Sequence, residues 1–356
     1  MMRELTFLLF LFLVLAVFSY FYLHVPIGNL VLGQFTTTIP QTTTLPNGNS
    51  TTTLTPTTIP TTISPSGNQS LYQYALSLIN NDRAQYGLAP VTLSNEPSAQ
   101  QHSQSMLDNR YFSHWDIYGM KPYMRYTLVG GTQSVAENIA YQSGSSCTLL
   151  FCSGDINPSN ALQEMEYSMM YNDSACCNNG HRDDILDPNH NQVSIGIAYN
   201  SSTIYFTEDF IDSYIFWNGN SPSFANGGEA YLSGTLANGY SLSSIFVTYD
   251  SPVTNMTKSQ LAATSEYGYG PNIAGVVSSS KYYYSGLSTI VADQYSVDQG
   301  SFSVSFNMQD LIKQHGAGEY TILLWLNGTS TAKAFVGGSY TLFIGSDGTP
   351  FVPMTV

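Results

Sequence analysis

The sequence predicts an α+β domain followed by an all-β sandwich domain, both carried behind an N-terminal transmembrane helix. Three observations carry this. Apolar residues recur at helical spacing from about residue 70, and two alternating β-rich segments follow near residue 193. From residue 229 onward there are only short alternating runs separated by turn residues. Ahead of both lies an uncharged stretch, Leu5 to Leu23. At 356 residues and 43% apolar content, the chain is long enough for two cores.

Taken in order, residues 1–4 form a short cytoplasmic stub, and 5–23 form the membrane segment. About 19 residues at ~1.5 Å each nearly cross a ~30 Å hydrocarbon core. The run is aromatic at its far end (Tyr20, Phe21, Tyr22) and has no small-x-small cleavage site, so an uncleaved signal-anchor is expected. A cleaved signal is the alternative, and either exports the rest. The expected location is the cell membrane, single-pass, with the folded domains extracellular. Residues 34–67 are dominated by Thr, Pro, Ser and Asn, too poor in apolar surface to fold. They read as an extended, mucin-like stalk. Asn-x-Ser/Thr sequons at Asn49, Asn68, Asn172, Asn200, Asn255 and Asn327 make a glycoprotein the expectation.

The first folded domain spans 68–214. Leu71, Ala75, Leu78 and Ile79 make one helical stripe, which Gly87 ends. Ser94-Asn95-Glu96-Pro97 announces a second helix, running to about Asn109, and Asn157-Pro158-Ser159 a third, with Leu162, Met165 and Met169 as its stripe. Val193–Tyr199 and Thr203–Phe210 alternate as a hairpin would. Residues 218–228 read as a linker. The second domain, 229–346, offers strands at Ala230–Leu236, Ser244–Tyr249, Ala274–Val277, Thr289–Gln294, Phe302–Phe306, Tyr320–Leu326 and Ser339–Ile344, and one helical turn at Gln309–Gln314. His315 is its sole histidine, so an interaction or spacer module is expected there.

Charge narrows the function. With 24 acidic against 10 basic residues, a net charge of -14, no nucleic-acid footprint exists, and only the N-terminal helix is expected to engage a membrane.

Chemistry concentrates in the first domain, which holds His102, His114, His181 and His190. Ile79-Asn80-Asn81-Asp82-Arg83 through Gly87-Leu88 and Pro90, Phe112-Ser113-His114, Ala136-Glu137-Asn138, Gly180-His181-Arg182-Asp183-Asp184-Ile185-Leu186 and Val193-Ser194-Ile195-Gly196-Ile197 stand in that order. Together they resemble the CAP/SCP superfamily of cysteine-rich secretory, antigen 5 and pathogenesis-related-1 proteins, prokaryotic type. The resemblance covers residues 70–212. It implies an α-β-α sandwich with a shallow cleft lined by two histidines and two acids. His114, Glu137 and His181 are the matching positions. The second acid is expected at Glu166, with Glu164 the alternative, although the tryptophan of the family's W-x-x-E block is missing. As a catalytic tetrad this set would be His114, Glu137, Glu166 and His181, with His114 and His181 the metal ligands.

Neutral imidazoles suit Zn²⁺ or another divalent cation, and carboxylates suit further ligation or water activation. Three readings therefore stand: a hydrogen-bonded scaffold, a reversible divalent-metal site, or a metal-dependent hydrolase acting on extracellular or envelope polymers. The family is described variously as binders, proteases and signalling ligands, so enzyme status stays open. A binding or adhesion module, with an extracellular protein, glycan or lipid as ligand, is the leading expectation. His102 is expected to be solvated or locally hydrogen-bonded, and His190 to sit in a loop; nothing assigns His24 a role.

Cys147, Cys152, Cys176 and Cys177 all lie in this domain. Exported thiols oxidise, and four allow three pairings. A vicinal bridge closes a cramped ring, so crossed pairing of 147/152 with 176/177 is expected, with a four-cysteine zinc site as runner-up.

Overall fold

The computed structural model describes residues 36–44, 50–58 and 70–353, apart from 145–146, 149–150, 153–154, 226–227, 265 and 329–332. Segment 5–23 lies outside the described residues, and among these no helix is long and apolar enough to cross a membrane. The chain divides into two units, Met1–Ile63 and Ser64–Val356. In the first, β1 (Thr36–Thr44) and β2 (Ser50–Thr58) pair antiparallel. These two strands of the Thr/Pro stretch are paired where an unfolded stalk is expected; β-branched threonines suit strands.

The second unit opens with α1 (Leu71–Gln85), where the Ser70 hydroxyl accepts from the Gln73 amide. Gly87 adopts φ 71° just past its end, which a side chain would resist. There follow β3 (Thr92–Leu93), α2 (Ser98–Asn109), α3 (Pro122–Leu128), β4 (Ser134–Ser143), the short pair β5 (Cys147–Thr148) and β6 (Phe151–Cys152), then α4 (Pro158–Tyr171). Asn157 caps α4 by accepting from the Ser159 and Asn160 amides. Next come α5 (Ser174–Cys177), α6 (Gly180–Ile185), β7 (Gln192–Tyr199) and β8 (Thr203–Asp212).

The sheet order is β3-β7-β8-β4, with β4 at one edge. Alternation along β7 builds the layers. Val193, Ile195 and Ile197 point into a core with Tyr74, Ile79, Leu162 and Met165 from α1 and α4. On the other face Ser194 donates to the Glu96 carbonyl, and α2 crosses so closely at Gly196 that a Cβ there would collide with the Ala99 carbonyl. This is the expected α-β-α sandwich.

Beyond it run β9 (Ile215–Trp217), β10 (Ser223–Ala225), β11 (Glu229–Leu236), β12 (Tyr240–Asp250), α7 (Lys258–Leu261), β13 (Asn272–Val277), β14 (Ser288–Val291), β15 (Gln294–Asp298), β16 (Ser301–Asn307), α8 (Gln309–His315), β17 (Gly318–Gly328), β18 (Phe335–Ile344) and β19 (Pro350–Phe351). One sheet is β10-β11-β16-β15 with β9 beside β11; the other is β14-β13-β12-β17-β18-β19. Leu232, Val304 and Phe306 of the first meet Ile245, Val247, Leu324 and Leu326 of the second in one core. Fully burying each such side chain contributes about 1.5–3 kcal/mol. Ser223–Ala225, inside the expected linker, pairs with β11.

The two layered structures are stitched together. Thr341 of β18 donates its amide to the Thr127 hydroxyl, and the Ser339 hydroxyl donates to the Gln133 carbonyl. The connection from β12 to β13, residues 251–271, runs back along the α-β-α domain as a strap: the Met256 amide donates to the Ile117 carbonyl and Leu261 packs with Met106, Tyr111 and Ile139.

Candidate functional site

His114 lies in the loop after α2, and three neighbours fix that loop. The His102 ring bonds to the Ser113 carbonyl, Arg125 of α3 donates to the His114 carbonyl, and the Ser113 hydroxyl bonds to Thr264 of the strap. His102 is thus a buried core histidine rather than a solvated one, because α2 turns it toward the sheet. Its desolvation holds it neutral, well below the ordinary imidazole range.

Glu137 projects from edge strand β4 and is fully engaged. Its Oε1 accepts from His114 Nδ1 at 2.9 Å and its Oε2 from Arg125 Nη2 at 2.5 Å. Its backbone groups, turned outward at the sheet edge, both meet Tyr267 of the strap: the phenol accepts from the Glu137 amide at 2.7 Å and donates to its carbonyl at 3.0 Å. Glu137 therefore faces Asp209 of β8 as a non-hydrogen-bonded pair, the register that brings side chains closest. Burial raises both carboxyls, Asp209 to about 8 and Glu137 to about 7 against the pull of Arg125. The Tyr267 ring also lies 4.5 Å from His114. Motif and spacing assign this half of the chain no part in the cleft; the strap supplies one. Replacing Tyr267 by Phe keeps the ring and strips both backbone bonds, so urea unfolding should show a loss of about 1–3 kcal/mol.

The neighbouring residue, Asn138, points to the opposite face and donates to the His181 carbonyl at 3.0 Å and to Glu208 at 3.3 Å. His181 opens α6 beside α5. Asn178 and Asn179, both at positive φ, reverse the chain there. Asp173 then takes His181 Nδ1 at 2.6 Å on one oxygen, and the His181 and Arg182 amides on the other at 2.9 and 3.3 Å.

The structure thus brings together His114, Glu137 and His181, with the two imidazole rings 6.5 Å apart. Glu166 is not among them. It is 2% exposed inside the α4 stripe, between Met165 and Met169, and meets Glu208 of β8; burial, then the neighbouring carboxylate, pushes its carboxyl well up. Glu164, the alternative, is exposed and accepts from Gln142. The acid behind His181 is Asp173, which no helical spacing could reveal because it lies in a loop. Arg125 was missed too, since α3 is too short to show a period. His190 does sit in a loop, but buried, with Nδ1 donating to Asp212 at 2.7 Å.

Cys176 and Cys177 are joined to each other, so the crossed pairing does not form; they lie in one short turn, α5, where adjacency decides the partner. Cys147 and Cys152 stand opposite each other in the β5–β6 pair. Donor atoms of Asp173, Cys176, Cys177 and His181 lie within 4.8 Å of one another, a group able to hold a metal ion only with the two sulfurs as thiols.

His114 Nδ1 is committed to Glu137 and His181 Nδ1 to Asp173, which leaves each Nε2 as ligand atom. Carboxylate-backed imidazoles of this kind fit a divalent cation. Burial and the Arg125 charge push His114 down to about 3, so its ring is neutral.

Residues 76–211 match the family described as "CAP: Cysteine-rich secretory protein family". Among solved structures, the chain is similar to an extracellular protein containing a SCP domain from Bacillus anthracis strain Ames, at 23% identity and TM-score 0.30, over 40% of each chain. It is similar also to the CAP domain of enterococcal PrgA, at 11% identity and TM-score 0.27, over 39% of this chain and 59% of that one. The chain thus spans less than two thirds of either. Among curated proteins, none matches.

Proposed function

With residues 76–211 as a domain of the cysteine-rich secretory protein family, we propose that this chain is an exported binding module whose cleft holds one divalent cation between His114 and His181. The observation that supports this is the carboxylate behind each imidazole, Glu137 and Asp173, which orients the ring and leaves Nε2 for ligation. Zn²⁺ or another borderline cation suits two imidazole nitrogens; bound there, it would supply a Lewis-acidic anchor for an oxygen of an extracellular protein, glycan or lipid ligand. Segment 5–23 serves as the signal-anchor, residues 34–67 as the stalk, and the folded unit stands outside the membrane.

Hydrolysis, the rival, needs a carboxylate free to take a proton from water. Glu137 has both oxygens engaged, and Glu166 is turned inward against Glu208. Binding is therefore the better-supported reading. Isothermal titration of Zn²⁺ into the oxidised full chain should give one site, weakened at least ~10-fold by His114→Ala or His181→Ala. Heats unchanged in both variants would overturn the reading.

A further inference from the structure

Beside the cleft, and sharing His181 with it, lies a second donor set. We propose that Asp173, Cys176, Cys177 and His181 form a redox-gated site for a thiophilic divalent cation, closed while the vicinal disulfide stands and opened by its reduction.

The donors are two sulfurs, one imidazole nitrogen and one carboxylate oxygen, all within 4.8 Å of one another. A tetrahedral site with metal–sulfur bonds of ~2.3 Å and metal–nitrogen bonds of ~2.0 Å has donor–donor edges of roughly 3.3–3.8 Å. Small shifts therefore reach it. The frame is fixed: Asp173 is 2% exposed, the α6 amides of His181 and Arg182 hold its Oδ2, and its Oδ1, which accepts from His181 Nδ1, faces the group. Cys176 Sγ already lies 3.6 Å from that Oδ1. Its surface is open, since Cys176 is exposed and Cys177 and His181 are half-buried, so ions and reductants have access. Sulfur-rich ligation selects Zn²⁺ or softer cations such as Cd²⁺ over Mg²⁺ or Ca²⁺.

In the gating step a dithiol gives two electrons and two protons to the Cys176–Cys177 bond and leaves as its own cyclic disulfide. Two thiols result, and they release their protons to water as the cation binds.

Co²⁺ binding by the full chain, carrying Cys147→Ser and Cys152→Ser so that only the vicinal pair responds, is the test. After reduction with a dithiol and anaerobic desalting, a thiolate-to-cobalt absorption band should appear, with affinity raised ~100-fold over the oxidised protein. Cys176→Ser with Cys177→Ser should abolish the band, Asp173→Asn should weaken it, and His114→Ala should leave it intact. No band after reduction, or a band that survives loss of both cysteines, would overturn the proposal. Failure of the cleft reading would show differently, as indifference of the oxidised protein to His114→Ala.

Discussion

Replacing Arg83 by leucine is expected to lower the stability of the folded unit by about 3–5 kcal/mol, the cost of stripping a buried charged group from its partners. Arg83 is fully buried on α1. Its Nε donates to the Ala89 carbonyl, Nη1 to those of Ile185 and Asp187, and Nη2 to that of His190. One planar guanidinium thereby closes the end of α6 and the loop after it onto α1. Leucine fills part of the volume and removes a donor from four carbonyls, of which that of Asp187 keeps the His190 amide, and each carbonyl left bare costs on the order of 1 kcal/mol or more. Lysine restores the charge but not the fork, so Arg83→Lys should recover only part of the loss. Urea unfolding reads the difference as a lower midpoint at unchanged slope. A change below about 1 kcal/mol for Arg83→Leu would mean that the loop is held by packing alone.

The second large effect is a loss of stability on the alkaline side. Burial raises the carboxyls of Asp209 to about 8, of Glu319 to about 7 and of Asp82 to about 6. It also raises both members of the Glu166–Glu208 pair, which face each other between α4 and β8. In the unfolded chain these groups titrate near ~4. Raised native values mean that these carboxyls bind more protons in the folded state than in the unfolded state between about pH 4 and 8. The stabilisation is complete below the unfolded value and is lost as pH rises through the native ones. His114, pushed down to about 3, and His102, well below its ordinary value, act oppositely and add stability as pH rises to about 6.5, so the fall is expected between about pH 6.5 and 8, where each tenfold difference in proton affinity between the two states is worth about 1.4 kcal/mol. His190, raised by its Asp212 partner against the desolvation that lowers it, adds to the same slope. Thermal unfolding across this range is the measurement, and Asp209→Asn with Glu208→Gln should flatten the slope. Stability that rises between pH 6.5 and 8 would contradict the assignment.

Parts of this fold are legible in the sequence because their physics is local. The alternation of Val193–Tyr199 and Thr203–Phe210 gives β7 and β8, and the cap at Asn157-Pro158 starts α4 where it begins. Thr289–Gln294, read as one strand, proves to be the end of one sheet and the start of the other, a break that alternation does not mark. His114, Glu137 and His181 could be placed together only because ordered motif blocks surround them. Counting 100° per residue put Glu166 at the edge of the α4 stripe. The buried stripe is wider, taking in Ala161 and Met170, and it encloses the carboxyl. Asp173 is set by a loop and the left-handed Asn178-Asn179 turn, which carry no period. Tyr267 stands 130 residues from the Glu137 it covers, and only tertiary packing brings them together.

The decisive observation for the cleft is X-ray absorption at the zinc edge, on the oxidised full chain loaded with one equivalent of Zn²⁺. A first shell of nitrogen and oxygen is expected, with the multiple-scattering signature of two imidazoles, reduced to one in His114→Ala. A shell containing sulfur, or no zinc retained after desalting, would show that the two histidines do not hold the cation.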